Sequence, residues 1–228
     1  MPLALFDLDN TLLNGDSDYA WGLYLCAIGA VDAADHRSRH EQYYKDYVAG
    51  VLDINEFLEF QLKPLAENST DVLKQWREDY LTQQIEPMIE HSAIALIDQH
   101  REQGHDLVVI TATNSFITKP IAERLGIPTL IATEPESING QFTGKVNGTP
   151  CFQSGKVEKL TDWMSKNKYN LTNSWFYSDS YNDLPLLLEV DNPVVTNPDE
   201  KLATVASEKG WPVLHLFSNL PSNLMPHY

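Results

Sequence analysis

The feature that most limits how this chain can fold is a short apolar run that stops abruptly at acid. Pro2-Leu3-Ala4-Leu5-Phe6 is followed at once by Asp7-Leu8-Asp9-Asn10-Thr11. A run this short, apolar at every position, reads as a strand buried on both faces that delivers its C-terminal end to solvent. Similar runs recur at Leu107-Val108-Val109-Ile110, 128–133, Trp175-Phe176-Tyr177, Pro193-Val194-Val195 and Pro212-Val213-Leu214. Helical stretches separate them at about 89–103, 115–125, 154–166 and 199–208, with a further helix after Asp183. Strands alternating with helices predict an α/β chain built on a doubly wound, mostly parallel sheet.

The stretch from about 17 to 85 interrupts that alternation, because it contains no strand pattern. Tyr19, Leu23 and Cys26 fall at helical spacing, as do Tyr43 and Tyr47, and then Phe57, Phe60 and Gln61. Asp53 with Glu56 makes a capping box opening a helix over 54–65, and Asn68-Ser69-Thr70 marks another helix start. The expected organisation is a core from residues 1–16 and 86–228, with a helical unit inserted at 17–85. Two Asn-Gly pairs, at 139–140 and 147–148, predict a hairpin or two tight turns.

Charge narrows the partners. With 16 basic and 32 acidic residues the net charge is −16, which repels nucleic acid and favours cationic ligands. An anionic substrate therefore needs local cations, from a metal or a few placed lysines. No apolar run approaches the ~20 residues that cross a bilayer, and the first residues carry no basic stretch, so neither a span nor a signal peptide is expected. Cys26 and Cys151 match no metal or redox spacing, and a reducing cytoplasm is the simplest setting.

Four groups of residues can carry chemistry. Asp7 and Asp9 sit where a buried strand ends, the place where open α/β sheets put ligands. Two carboxylates so close call for a cation, and a hard one such as Mg²⁺ suits them; a polar turn is the plain alternative. Asp179 and Asp183, four residues apart after a later strand, could complete a metal site or merely cap a helix. Thr111 ends another strand and can donate to a phosphate oxygen. Lys156 lies near a helix start, where a cation is disfavoured by the helix dipole, which suggests that it neutralises an anion.

Together, and in this order, these residues resemble the haloacid dehalogenase superfamily. The insert after the first strand is similar to the type-one cap of its phosphoserine-phosphatase-like branch (subfamily IB). The resemblance implies a phosphatase with Mg²⁺ as cofactor. By it Asp7 is the nucleophile that forms an aspartyl-phosphate and Asp9 the general acid/base. Thr111 and Lys156 bind the phosphate and neutralise charge, and Asn10 and Thr11 lend backbone N–H groups to the phosphate. The implied metal set is Asp7, Asp9, Asp179 and Asp183, of which Asp183 ligates through water or orients Lys156.

In that branch an acid shortly after the first motif holds the substrate ammonium, and Asp16 stands at that spacing with Asp18 nearby. An arginine of the branch that would hold a substrate carboxylate has no counterpart: none occurs between 40 and 76, and Gln61 falls at its place. The expected partner is a small-molecule amino-type phosphomonoester, with histidinol phosphate favoured over phosphoserine. Asp16, Asp18 or Glu59 would meet its amine or imidazole, and Tyr43, Tyr44, Tyr47 or Trp21 would stack on the ring. His36 and His40, spaced i, i+4, could bind a metal, but with no nearby Glu or third ligand in the pattern they are expected on a solvated helix face. The alternatives are a phosphotransferase and a receiver-like phospho-acceptor using the same Asp, and a non-catalytic binding protein.

Overall fold

The computed structural model describes residues 1–217; residues 218–228 of the expected core lie outside the described part. The first strand, β1 (Leu3–Phe6), is buried at every position and is followed by four helices: α1 (Ser17–Ala27), α2 (Ala33–Ala49), α3 (Ile54–Glu67) and α4 (Thr70–Tyr80). A π-helical turn (Leu81–Ile85) and a 3-10 turn (Glu86–Met88) lead to α5 (His91–Glu102) and β2 (Asp106–Asn114). Next come α6 (Ser115–Arg124), β3 (Thr129–Thr133), a hairpin of β4 (Pro135–Ile138) and β5 (Gln141–Val146), and α7 (Ser154–Asn167). The chain then forms β6 (Trp175–Ser178), a 3-10 turn (Tyr181–Asp183), α8 (Leu184–Leu187), β7 (Asn192–Thr196), α9 (Glu200–Lys209) and β8 (Val213–Leu214).

Six strands form one parallel sheet in the order β3-β2-β1-β6-β7-β8. The chain winds from β1 to one edge and later resumes on the other side. The switch point therefore lies between β1 and β6, and a ligand crevice forms there at the strand C-termini. The period of two sorts β1 between two cores. Ala4 and Phe6 join the cluster under α1, α4, α5 and α6, whereas Leu3 and Leu5 join the one under α7, α8 and α9.

Local signals account for the element ends. Asp53 accepts from the amides of Asn55 and Glu56 and starts α3. Asn139 and Gly140, both at positive φ, make the turn of the β4–β5 hairpin. The hairpin is tied to the helical layer, since Thr70 donates to the carbonyl of Gly140 and Gln141 to that of Asn68. Gly155 at the start of α7 is forced by packing: a Cβ there would lie 2.1 Å from the Pro150 carbonyl oxygen. That close approach seats the next residue, Lys156, inside the protein. No helix of the described residues is long and apolar enough to cross a membrane.

One expectation fails. His36 and His40 do not lie on a solvated face; they are 5% and 7% exposed. Both pack on Phe60, with ring centroids 4.6 Å and 6.4 Å away, and His36 fills the notch left by Gly22, where a Cβ would lie 2.5 Å from Nε2. The i, i+4 spacing showed that they share a face but not that the face looks inward. In the other layer His100 bonds through its two ring nitrogens to His105 and to the Tyr177 hydroxyl, each at 2.7 Å.

Burial holds the His36, His40 and His100 imidazoles down to about 4, with the charge of His40 adding to the fall at His36 and that of His105 at His100. Their folded values lie below the ~6.5 of an unfolded chain. The stability they allow is thus full above that value and withdrawn as pH falls towards 4. Imidazole NMR signals of these three rings are expected to stay neutral from pH 8 to about 5. A midpoint near 6.5 for any of them would show that its ring is solvated.

Candidate active site

The C-terminal ends of β1, β2 and β6 and the start of α7 open on one cleft of about 590 Å³, roofed by α2 and the start of α3. Asp7, Asp9, Asn10, Asp16, Thr111, Lys156, Asp179 and Asp183 all line it. Thr11 is fully buried beneath, and its hydroxyl reaches Asp179 at 3.4 Å.

Lys156 is the hub. It is 3% exposed, and its Nζ lies 2.7 Å from both Asp7 Oδ1 and Asp183 Oδ2. The Ser178 hydroxyl donates to the same Asp183 oxygen at 2.7 Å. These two buried carboxylates hold the ammonium well above its usual value, against the effect of burial. Burial pushes the Asp7 carboxyl up to about 7 in spite of Lys156, and the charges of Asp183 and Asp9 add to the rise. The backbone N–H of Asp7 donates to the Tyr177 carbonyl at 2.9 Å, which fixes the strand end from which the side chain projects.

Asp9 is engaged differently. Its Oδ1 accepts the Ser17 amide at 2.6 Å and its Oδ2 the Thr113 hydroxyl at 2.9 Å. Burial, then the charge of Asp16, lifts it to about 7, while the Ser17 and Thr113 bonds oppose the shift. A carboxyl that titrates near neutrality can both give and take a proton. Thr113 escaped the sequence reading, although its alternation with Thr111 at the end of β2 puts both within the cleft lining.

The loop after β1 corrects another expectation. The Leu8 carbonyl accepts the amides of Thr11, Leu12 and Leu13, and the Asn10 amide donates to Gly15 at 2.9 Å. The N–H groups of Asn10 and Thr11 are therefore occupied within the loop and do not cradle a ligand. Leu8 and Asp9 are left with amides that have no backbone acceptor among the described residues. Asn10, at φ 55°, makes the turn, and its carbonyl takes a bond from Asn197 at 3.3 Å.

The four expected metal ligands do not form a ready-made cage. Among the described residues no group of three or more acid, His or Cys side chains is gathered closely enough to hold an ion. The reason is electrostatic: Asp7 and Asp183 close on Lys156, and Asp9 turns to Ser17 and Thr113. The Asp179 carboxylate takes a long bond from the Thr11 hydroxyl, and burial with the charges of Asp7 and Asp183 raises it well above the ordinary range. Hard oxygen donors short of positive charge still fit Mg²⁺, which uses one or two carboxylates together with water and phosphate oxygens.

Several substrate-facing expectations change. Trp21 is 1% exposed and packs on Tyr80 and Phe116 in the core, away from the cleft. Glu59 points to solvent, and Gln61 is buried outside the cleft lining. Tyr43, Tyr44 and Tyr47 do line it.

A parallel sheet with strand-end acids at its switch point and a buried lysine bridging two of them defines a hydrolase that handles anions. The chain belongs to the haloacid dehalogenase-like hydrolases, whose family pattern it matches over residues 4–188. It is similar to a histidinol-phosphatase of Neisseria meningitidis serogroup C (strain 8013), 43% identical over 217 residues, covering 93% of this chain and 98% of that one. A solved protein of unknown function from Bordetella pertussis Tohama I is 41% identical, with a TM-score of 0.89 over 95% of this chain and 99% of its own. A substrate-bound phosphoserine phosphatase shares the fold, with a TM-score of 0.68 at 18% identity, covering 93% of this chain and 92% of its own.

Replacing Lys156 by Met leaves Asp7 and Asp183 buried without their cation. Urea unfolding at pH 8 should show a loss of about 3–5 kcal/mol. The loss should shrink at pH 5, where protonation relieves the buried Asp7 carboxylate; an equal loss at both pH values would show that the lysine acts by packing alone.

Proposed function

We propose that this enzyme is a Mg²⁺-dependent phosphomonoester phosphatase that works through a phospho-Asp7 intermediate, with histidinol phosphate as its favoured substrate. The observation that carries the reading is the buried Lys156 bridge between Asp7 and Asp183. It places a fixed positive charge where an incoming phosphate would otherwise meet only carboxylates. Asp7 and Asp179 would hold the ion directly and Asp183 through water, supplying the charge neutralisation that lets an anionic nucleophile approach phosphorus. The side chain of Asp9 is left free of that duty.

Asp7 attacks phosphorus; the P–O bond to the alcohol breaks as the P–O bond to Asp7 forms. Asp9 gives its proton to the leaving alkoxide and then takes one from the water that cleaves the acyl phosphate, which restores Asp7. Lys156, the Thr111 hydroxyl and the free amides of Leu8 and Asp9 orient the phosphoryl oxygens and stabilise their charge. The helical unit at 17–85 acts as the cap over this reaction, excluding water and selecting the substrate. Two buried, unpaired thiols, Cys26 and Cys151, suit a reducing cytoplasm.

The substrate preference rests on a missing cation. Apart from His40, the only basic side chains among the described cleft residues are Lys156 and Lys201. Lys156 is held by two acids, and Lys201 donates to the carbonyls of Val48 and Ala49. A carboxylate such as that of phosphoserine finds no partner, whereas an amine meets acids. The similarity to the Neisseria histidinol-phosphatase points the same way.

Asp7→Asn is expected to keep the fold and lower phosphate release by at least about 10³-fold. Chelation should stop turnover of the parent enzyme and Mg²⁺ restore it; full activity in metal-free buffer would refute the metal assignment. The kcat/KM for histidinol phosphate should exceed that for phosphoserine by about 10²-fold or more. The reverse order would overturn the argument from the missing cation.

A further inference from the structure

Three side chains in the cleft lining are more than nine-tenths buried and yet incompletely bonded. Asp18, in the first turn of α1, is 8% exposed, and its Oδ2 has no hydrogen-bond partner. Asn114, at the end of β2, is 3% exposed with its Oδ1 unpartnered. His40, on α2, is 7% exposed with its Nε2 unpartnered. Buried polar atoms without partners are rare, because each carries an uncompensated desolvation cost of about 1–3 kcal/mol. Three at one cleft call for a ligand that completes them.

The chemistry of the three is one-sided. A carboxylate and an amide oxygen only accept, and a neutral imidazole nitrogen accepts once its proton sits on the other nitrogen. What they lack is a donor. Asp16, which the family resemblance made the ammonium partner, already spends one oxygen on capping α1, where it accepts the Tyr19 amide at 2.9 Å. Asp18 lies one half-turn further along the same helix with an oxygen to spare.

We propose that Asp18 and Asn114, with His40 of α2, form a subsite that binds a primary ammonium or a similar N–H-rich, carboxylate-free tail of the substrate. It rests on the phosphatase reading above, deepens it by naming the tail chemistry, and moves the specificity role from Asp16 to Asp18. The subsite reads N–H donors rather than charge alone, so a primary amine outranks a quaternary ammonium of the same charge.

The test uses the full chain and separates binding from turnover. In Mg²⁺-free buffer, calorimetry compares phosphoethanolamine, phosphorylcholine, methyl phosphate and histidinol phosphate, with the parent protein, Asp18→Asn and Asn114→Ser. The parent should bind phosphoethanolamine and histidinol phosphate more tightly than phosphorylcholine or methyl phosphate. Asp18→Asn should weaken the two amines about 10- to 100-fold and leave methyl phosphate within about threefold. With Mg²⁺, the same variant should raise KM for the amines at nearly constant kcat. Asn114→Ser should act in the same direction, which guards against a folding defect in one variant. Equal affinity for all four probes, or equal losses on amine and methyl phosphate, overturns the subsite. Selective amine binding without phosphate release from any probe would instead sustain the subsite and reject the phosphatase.

Discussion

The structure is organised around one buried cation. Lys156 sits between Asp7 and Asp183 with almost no solvent, and these three residues come from the start of α7, the end of β1 and the turn after β6. Isolated burial of any of these charges would cost several kcal/mol, so none of the three segments can take its place without the others. Gly155 must be a glycine for the lysine to reach that depth, because α7 begins against the Pro150 carbonyl. The sheet order then determines where the triad stands. The switch between β1 and β6 opens a crevice, and the lysine closes its floor from beneath.

That electrostatic arrangement explains why the acids around the triad do not gather into a finished metal cage. Each carboxylate has found the donor closest to hand: Lys156 for Asp7 and Asp183, backbone and hydroxyl groups for Asp9, a helix N-terminus for Asp16. Asp179 has a long contact with the Thr11 hydroxyl, and burial beside Asp7 and Asp183 disfavours its charge. On the proposed reading, a divalent ion entering with phosphate would meet hard donors that are only partly satisfied. This is the condition under which Mg²⁺ is bound jointly by protein and substrate rather than stored by the protein alone.

Much of this was legible in the chain. Apolar runs ending at Asp7, Thr111 and Asp179 show that three strands deliver polar residues to one sheet edge, and the caps at Asp53 and Ser69 mark helix starts within a residue. The direction in which a helix faces was less legible. His36 and His40 share a face by spacing, yet only the packing of Phe60 and the notch at Gly22 show that this face is internal. Hydrogen-bond competition was not legible at all. The amides of Asn10 and Thr11 look available in a sequence motif, but the loop folds back on the Leu8 and Gly15 carbonyls and occupies them. Trp21 looked like a ring for stacking, and the core claimed it instead.

The roof of the cleft is joined to its floor by hydrogen bonds. The C-terminal end of α2 meets the core through the Tyr47 hydroxyl on Ser180 at 2.7 Å, through Asn182 on the Tyr47 carbonyl at 3.3 Å, and through Lys201 on the carbonyls of Val48 and Ala49. Ser180 and Asn182 lie in the segment between Asp179 and Asp183, so the roof is bonded to the loop that carries two of the site's acids. The neutral contacts among these contribute about 0.5–1.5 kcal/mol each and the charge-assisted bonds of the exposed Lys201 at most about 1.5–3 kcal/mol, less than the buried Lys156 triad loses when a member is removed. The strong interactions therefore lie in the floor, where phosphate chemistry requires fixed charge, and weaker ones lie in the roof. On the proposed reading, a substrate tail that donates to His40 of the roof and to Asp18 and Asn114 beside it would strengthen that junction, whereas a tail bearing a carboxylate would leave its charge unmatched beside Asp16 and Asp18.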